Sequence, residues 1–294
     1  MKNRNYVYQQ IINITPDSFS DGGEVNSPLF LFNKIIAHYE NGIRFFDFGA
    51  QSTAPTSKPI EFLEEKNRFE KFFIPILKNI EMIKILNNSM LSFDSFRPET
   101  MEFLLTSLSN CHLKPISIYW NDVSGCVDEK TLKFLSISKK HKLILCHNLA
   151  NQRENSADHF RYLSTNQGDD FLTEIIEYFQ RRLSLIPSTL HHQVVIDPAF
   201  GFSKDDSQNI FLLKNLKNFV SSFSCSQEFL IGISRKRFLR HLSGHSINDL
   251  ELLDNYQDRL FDEFLPNNQS ALGYLRCHRC LIGKNYLLEA PKHI

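Results

Sequence analysis

Short apolar segments alternate along the chain with longer segments that have helical periodicity. The short segments predict eight strands, at Val7–Ile14, Ile43–Gly49, Met90–Asp94, Pro115–Trp120, Lys142–His147, Gln193–Asp197, Phe229–Ser234 and Tyr274–His278. In most intervening segments apolar residues recur every three or four positions, which is the spacing of a helix that packs on a sheet. Strands that alternate with helices in this way predict a (β/α)₈ barrel, and a doubly wound open sheet is the alternative.

The first predicted helix has well-defined ends. Ser27 has the position of an N-cap, Pro28 follows at the first helical position, and Asn41-Gly42 marks the end. Pro75 is expected to kink or shorten the second helix. The other predicted helices are Glu61–Ile80, Glu99–Leu108, Glu129–Lys139, Phe171–Leu185, Ser207–Phe219, Asn248–Phe264 and a short Leu281–Glu289. The polar segment Asn148–Gly168 predicts a long loop, and no linker-like composition divides residues 1–294, so one domain is expected.

Polar residues gather at the ends of the predicted strands. They are Asn13, Asp94, Asn121, Asp122, His147, Asp197, Ser234, Arg235, Lys236, Arg276 and His278. In a barrel the carboxyl ends of all strands share one mouth, which is where active sites lie. The pattern therefore predicts an enzyme. The alternatives are structural roles: Asp94 and Asp197 would be helix N-caps, and His147 and Arg235 would stabilise the fold.

Strand parity refines this prediction. Arg276 and His278 are two residues apart and point to the same side of the last strand, with Cys277 on the other side. Two such donors side by side suit a diphosphate group. Asp94 and Asp197 suit a polar heterocycle that carries amino donors.

Composition excludes several classes of partner. Lys+Arg and Asp+Glu both total 33, and this balance argues against a nucleic-acid or membrane-surface binder. No apolar run is long enough for a transmembrane helix. The scattered cysteines suggest a reducing, cytoplasmic compartment, and the Cys277–Cys280 spacing is read as chance because no second pair of zinc ligands accompanies it.

Several motifs in order resemble one family, the dihydropteroate synthases. The first is Ile12-Asn13-Ile14-Thr15-Pro16-Asp17-Ser18-Phe19-Ser20-Asp21-Gly22-Gly23, and the second is Asp47-Phe48-Gly49-Ala50-Gln51-Ser52-Thr53-Ala54-Pro55. The others are Phe93-Asp94-Ser95, Asn121-Asp122, Ile196-Asp197-Pro198-Ala199-Phe200-Gly201-Phe202, Ser234-Arg235-Lys236 and Arg276-Cys277-His278. The resemblance spans residues 7 to about 280. It implies a barrel enzyme of folate biosynthesis that condenses 6-hydroxymethyl-7,8-dihydropterin diphosphate with para-aminobenzoate.

The resemblance also implies residue roles. Asn13 would ligate a Mg²⁺ ion, Arg276 and His278 would bind the diphosphate, and the pterin would be held by Asp94, Asn121, Asp197 and Lys236. Asp94, Asp197 and Lys236 are the implied catalytic residues. Para-aminobenzoate would be bound by Thr53, Pro55, Phe202 and Lys236. A homodimer is expected from the resemblance alone.

Two departures from the family pattern affect the second substrate. Ala54 stands where the family usually has arginine, and Arg237 stands where it usually has serine. Our hypothesis is that Arg237 replaces the positive charge absent at Ala54, and Arg237 is therefore included among the substrate-binding residues. The alternatives are a non-catalytic pterin-binding paralogue and a methyltetrahydrofolate methyltransferase on a similar barrel.

Overall fold

A closed barrel of eight parallel strands forms the centre of the protein, in the order β1 to β8 around the barrel. The structure, a computed structural model, describes residues 6–14, 27–51, 59–150, 152–244, 249–265 and 273–280. The predicted (β/α)₈ barrel is confirmed, and the open-sheet alternative is excluded because β1 pairs with β8. Most of the first motif, the segment 52–58 and the predicted helix Leu281–Glu289 lie outside the described residues.

The strands lie where the apolar pattern predicted them, with small shifts at their ends. They are β1 Tyr6–Asn13, β2 Phe45–Gly49, β3 Met90–Asp94, β4 Ser117–Asp122, β5 His141–Cys146, β6 Val194–Asp197, β7 Glu228–Ile231 and β8 Gly273–Cys277. The strand β7 ends three residues earlier than predicted. Gly232 to Ser234 therefore belong to the loop that leads into the mouth.

The helices lie between the strands. They are α1 Pro28–Glu40, α2 Phe62–Arg68, α3 Ile80–Asn87, α4 Pro98–Asn110, α5 Glu129–Ile137, α6 Gly168–Ser184, α7 Asp206–Lys214, α8 Leu216–Ser221, α9 Arg237–Ser243 and α10 Leu250–Phe264. Ser27 caps α1 as predicted, since its Oγ accepts a hydrogen bond from the backbone N–H of Phe30 at 3.1 Å. None of the helices in the described part of the chain is both long and apolar enough to cross a membrane.

The structure corrects three helix predictions. The segment predicted as one helix at Glu61–Ile80 is α2 followed by a π turn at Phe69–Phe73 and a 3₁₀ turn at Ile74–Lys78. The 3₁₀ turn contains Pro75, which lacks the N–H of a regular helix and so shortens α2 as expected. The predicted Ser207–Phe219 breaks into α7 and α8 at Asn215. The helix α9 was not predicted, because its seven residues are too few to show a helical period.

Side chains alternate between the barrel interior and the helical layer. The interior cluster is made of bulky residues, among them Phe45, Tyr119, Ile144, Val195, Leu230 and Tyr274. The outward residues of the same strands, such as Phe46, Phe48 and Phe93, pack under the helices. This alternation has period two. Polar side chains that point inward near the carboxyl ends of the strands therefore face the mouth.

Aromatic rings fill the layer between the barrel and α2. The ring centroid of Phe93 lies 5.9 Å from Phe48, 5.7 Å from Phe73 and 6.2 Å from Phe69. All four side chains are fully buried. The chain has 26 phenylalanines, and these four belong to its core.

Truncation of one of these rings should destabilise the fold strongly. We expect Phe93→Ala to lower the free energy of unfolding by about 3–5 kcal/mol, because buried area is lost and a cavity is left. Chemical denaturation monitored by circular dichroism measures this. The control is Leu29→Ala on α1, where the leucine is 67% exposed. A Phe93→Ala midpoint equal to that of the control would contradict the packing described.

Candidate functional site

The carboxyl ends of the strands bring the predicted residues to one mouth. Asn13 on β1 pairs in register with Gly49 on β2. Asp94 on β3 pairs with Gly49 on one side and with Asn121 on the other. Residues paired in register share a parity, so the side chains of Asn13, Asp94 and Asn121 face the same space.

Arg276 on β8 is held inside the barrel by two carboxylates. Its Nε donates a hydrogen bond to Oδ2 of Asp47 at 2.7 Å, and its Nη2 donates to Oδ2 of Asp94 at 2.7 Å. Asp47 is fully buried and Asp94 nearly so. Removing an ion from water is costly, and close opposite charges with good hydrogen bonds offset that cost. The two ion pairs therefore fix Arg276 against β2 and β3.

Asn121, Cys146 and Asp197 form the floor of the mouth. Asn121 Nδ2 donates to Asp47 Oδ2 at 3.3 Å. The Cys146 Sγ lies 3.8 Å from Asn121 Oδ1 and 3.8 Å from Asp197 Oδ2. A continuous series of contacts therefore joins Arg276 to Asp197 across the barrel.

Lys236 lies beside the loop that follows β6. Its Nζ is 5.0 Å from the centroid of the Phe202 ring, within the range of a cation–π interaction. Gly201 has a φ of +83°, and a Cβ on it would lie 3.3 Å from Cδ of Lys236. Both the left-handed backbone and the close approach favour glycine there. Phe202 and Lys236 thus form one wall of the mouth, and their contact with a substrate stays a prediction.

Burial shifts the pKa values of the acids and the bases in opposite directions. It raises the pKa of Asp94, with Arg276 acting against it. It raises the pKa of Asp197, against the hydrogen bond that the Ala199 N–H donates to this carboxylate. Burial and the nearby Arg276 together lower the pKa of Lys236 to about 8. Titratable groups with perturbed pKa values inside a cleft are typical of functional sites.

His278 follows β8, two residues after Arg276. Its backbone N–H donates to Ser234 Oγ at 3.2 Å, and its Nδ1 lies 3.1 Å from the same oxygen. The serine hydroxyl can then donate to Nδ1, so we assign the ring proton to Nε2. Burial and the charges of Arg235 and Arg276 lower the pKa of His278 well below its ordinary value. A neutral ring therefore presents an N–H donor.

Asn13 offers one oxygen to the same space. Its Oδ1 lies 3.7 Å from the position that a Cβ on Gly49 would take, and Asp94 Oδ2 lies 3.9 Å from that position. No described residue hydrogen-bonds to the Asn13 side chain. Among the described residues, no three His, Cys, Asp or Glu side chains are grouped to hold a metal ion. An ion here would need oxygens from a ligand as well as from Asn13.

Three other predicted residues contribute little or nothing to the described mouth. Arg237 begins α9, with a side chain that is 73% exposed, and its Nε is 3.2 Å from Asp206 Oδ1. Thr53 and Pro55 lie outside the described residues. Their proximity to the mouth stays a prediction.

The geometry favours the structural alternatives for Arg235 and His147. Arg235 forms an ion pair with buried Asp254, 3.2 Å from Nη2 to Oδ2. The His147 ring lies against Tyr178 of α6, with ring centroids 4.7 Å apart. It follows Cys146 on β5 and therefore has the outward parity.

Sequence reasoning missed three residues that support the site. Asp47 was noted on its strand but given no role, and Cys146 and Lys204 were not considered. For Asp47 the signal was its parity, two residues before Gly49 and facing inward. Cys146 stands one residue before the strand-end His147. The residues around Lys204 give no indication that its side chain is buried.

The chain matches known proteins over most of its length. The family model described as "Pterin binding enzyme" matches residues 9–260. A dihydropteroate synthase from Synechocystis sp. is 30% identical over 240 residues, which cover 80% of this chain and 73% of that protein. A folate synthesis bifunctional protein from Arabidopsis thaliana is also 30% identical, over 80% of this chain and 46% of that longer protein.

Solved structures share the fold. The dihydropteroate synthase from Anaplasma phagocytophilum with bound 6-hydroxymethylpterin-monophosphate has a TM-score of 0.70 at 24% identity, over 94% of both chains. The enzyme from Xanthomonas albilineans in complex with 7,8-dihydropteroate has a TM-score of 0.64 at 23% identity, over 92% of this chain and 87% of that chain. These similarities confirm the barrel fold. The family model and the Synechocystis relative confirm the predicted family, and the chain belongs to the pterin-binding enzymes, the family of the dihydropteroate synthases.

Proposed function

We propose that the protein is a dihydropteroate synthase, which joins 6-hydroxymethyl-7,8-dihydropterin diphosphate to para-aminobenzoate and releases diphosphate. One observation carries the proposal: Asp94 Oδ1 is buried and has no hydrogen-bond partner among the described residues, while Oδ2 of the same carboxylate is bound to Arg276. A buried acceptor without a partner calls for a ligand donor or water. The names of the curated relatives support the same activity.

The pterin fits the mixed donors and acceptors of the mouth. The amino and ring N–H groups of the heterocycle would donate to Asp94 and Asp197. Its carbonyl and ring nitrogens would accept from Lys236 and from the Asn121 amide. Arg276 and His278, two residues apart, would then receive the diphosphate with cationic and neutral N–H donors.

The charges of the mouth suit departure of the diphosphate. As the leaving group departs, positive charge develops on the pterin methylene and negative charge on the diphosphate. Asp94 and Asp197 are preplaced to stabilise the cation, and Arg276 and His278 to stabilise the anion. Para-aminobenzoate attacks as a neutral amine, so no strong general base is required.

Asn13 is suited to a Mg²⁺ ion that accompanies the diphosphate. Mg²⁺ prefers oxygen ligands and commonly uses one or two protein oxygens together with substrate phosphates. The Asn13 amide oxygen, which no described residue engages, fits that requirement. When bound, the ion would supply additional stabilisation of negative charge on the diphosphate.

The second substrate would bind beside Phe202 and Lys236, with Thr53 and Pro55 as further expected contacts. Arg237 stands next to Lys236 and pairs with Asp206 on the surface. Exposed ion pairs contribute about 0–1 kcal/mol, so this pair does not prevent Arg237 from reaching a substrate carboxylate.

The cellular setting and the assembly complete the proposal. The six cysteines all lie in the described residues and none forms a disulfide, which supports a reducing cytoplasmic location.

A homodimer is proposed from the family alone. Light scattering of the purified protein would show its mass.

The decisive assay is formation of dihydropteroate from the pterin diphosphate, para-aminobenzoate and Mg²⁺. We expect Asp94→Asn to lower kcat/KM by about 10²-fold or more, because the acceptor for the pterin and the charge facing the cation are lost. The matched control is Asp128→Asn, at the N-cap of α5, where asparagine is also a good cap. Tight pterin binding without product would instead favour the non-catalytic paralogue.

The pH dependence should report the charge of Lys236. Its ammonium form is populated below its lowered pKa of about 8. We therefore expect kcat/KM, which reports groups of the unliganded enzyme, to fall as the pH rises through about 8. In Lys236→Arg the guanidinium stays protonated, so this decline should disappear even if the plateau is lower. The same decline in the variant would rule out Lys236 as its source.

Arg237 is predicted to serve the second substrate. We expect Arg237→Ser to raise the KM for para-aminobenzoate about ten-fold, with much less effect on the KM for the pterin diphosphate, because a charge-assisted contact is lost. Steady-state kinetics with each substrate varied in turn measure this. Arg181→Ser, which removes an exposed arginine on α6, is the control. An unchanged KM for para-aminobenzoate would refute the hypothesis.

A further inference from the structure

A buried lysine that the proposed chemistry does not use lies behind the site. Lys204 is 3% exposed. Its Nζ donates to the carbonyl oxygens of Phe202 at 2.9 Å and Ala199 at 3.2 Å, and it lies 3.0 Å from Nδ1 of His147. These three partners match the three N–H groups of an ammonium ion.

The two carbonyls belong to a loop with an unfavourable backbone. Ala199, Gly201 and Ser203 have φ values of 53°, 83° and 51°. Two of them carry side chains, for which the left-handed region is disfavoured. A backbone of this kind persists only where surrounding contacts fix it. Lys204 supplies two of those contacts from inside the loop.

The same loop positions two groups of the mouth. The backbone N–H of Ala199 donates to Oδ1 of Asp197 at 2.7 Å. The ring of Phe202 lies under the ammonium group of Lys236. The residues whose carbonyls Lys204 binds are thus the same two that orient Asp197 and Lys236.

We propose that Lys204, which contacts His147, is a positioning residue that fixes the turn 199–202 and thereby aims the Asp197 carboxylate at the pterin and holds the Phe202 ring against Lys236. The inference rests on the proposed function and deepens it. Lys204 acts through the loop and makes no contact with substrate.

The hydrogen bond between Lys204 and His147 can form whether Lys204 is an ammonium ion or a neutral amine. Burial lowers the pKa of Lys204 to about 7, and it also lowers the pKa of His147 well below its ordinary value. As an ammonium, Lys204 donates to Nδ1. As an amine, it keeps two N–H groups for the carbonyls and accepts from Nδ1–H of the other tautomer. The other titratable groups that act on Lys204 are Asp197, Cys146, Lys236 and Glu174.

The test compares two lysine-to-methionine variants by equilibrium binding of the pterin diphosphate. We expect Lys204→Met to raise the dissociation constant about ten-fold or more, because the turn loses its internal anchor. The matched control is Lys142→Met, which removes a largely buried ammonium paired with Glu228 at the opposite end of the barrel. It should destabilise the fold but bind within about two-fold of the wild type, a change under 1 kcal/mol.

A double-mutant cycle separates positioning from general destabilisation. If Lys204 acts through Asp197, the effect of Lys204→Met on binding should largely vanish in an Asp197→Asn background. If the effects of Lys204→Met and Asp197→Asn on the binding free energy simply add, Lys204 does not act through Asp197 and the inference is overturned. Lys204→Gln, whose uncharged amide keeps two N–H donors for the two carbonyl oxygens, should recover part of the lost affinity.

The outcomes distinguish the two proposals. A wild-type protein that does not bind the pterin diphosphate would overturn the proposed function and this inference with it. Wild-type binding with an unchanged dissociation constant in Lys204→Met would overturn the inference alone. If Lys204→Met does not fold, His147→Phe keeps the ring packing on Tyr178 and removes the third acceptor. Unchanged binding in that folded variant would also overturn the inference.

Discussion

The buried ion pairs of Arg276 are the constraint on which the mouth depends. Its partners Asp47 and Asp94 lie 229 and 182 residues earlier in the chain. They come within reach only because β1 pairs with both β8 and β2 and closes the barrel. Without Arg276, two buried carboxylates would face each other uncompensated. Without the carboxylates, a guanidinium would be buried alone, which is equally costly.

In Asp94 and Asp197, one carboxylate oxygen is bound by the scaffold and the other is left for a ligand. Asp94 binds Arg276 through Oδ2, and within the described part of the chain its Oδ1 has no hydrogen-bond partner. Asp197 accepts a hydrogen bond from the Ala199 N–H through Oδ1, and the thiol of Cys146 lies 3.8 Å from its Oδ2. The scaffold contacts fix the orientation of each carboxylate, and the remaining oxygen keeps its capacity for a ligand donor. Under the proposed function, orientation is therefore settled before the pterin arrives, which lowers the cost of ordering on binding.

Most of the barrel could be predicted from the sequence because its signals are local. Short apolar segments placed all eight strands, and the cap at Ser27 placed the first helix. The failures have physical causes. The division of the predicted helix after Arg68 depends on how a π turn packs its phenylalanines against β2 and β3. The helix α9 is too short for a periodic pattern to show.

The candidate site was predictable only as far as its residues stand at strand ends. Position at a strand end and inward parity identify four site residues in the sequence: Asp94, Asn121, Asp197 and Arg276. The parity of Asp47 is visible in the sequence but its role is not, and nothing in the sequence marks Lys204, because each acts on another protein group and that relation exists only in three dimensions. Lys204 follows Ser203 in a sequence that reads as a solvated turn, yet the left-handed residues before it fold the chain back over its ammonium. The chemistry of such a site can thus be anticipated from strand ends. The residue that fixes the loop between β6 and α7, Lys204, can be identified only from the structure, where the carbonyl groups of that loop bind its ammonium group.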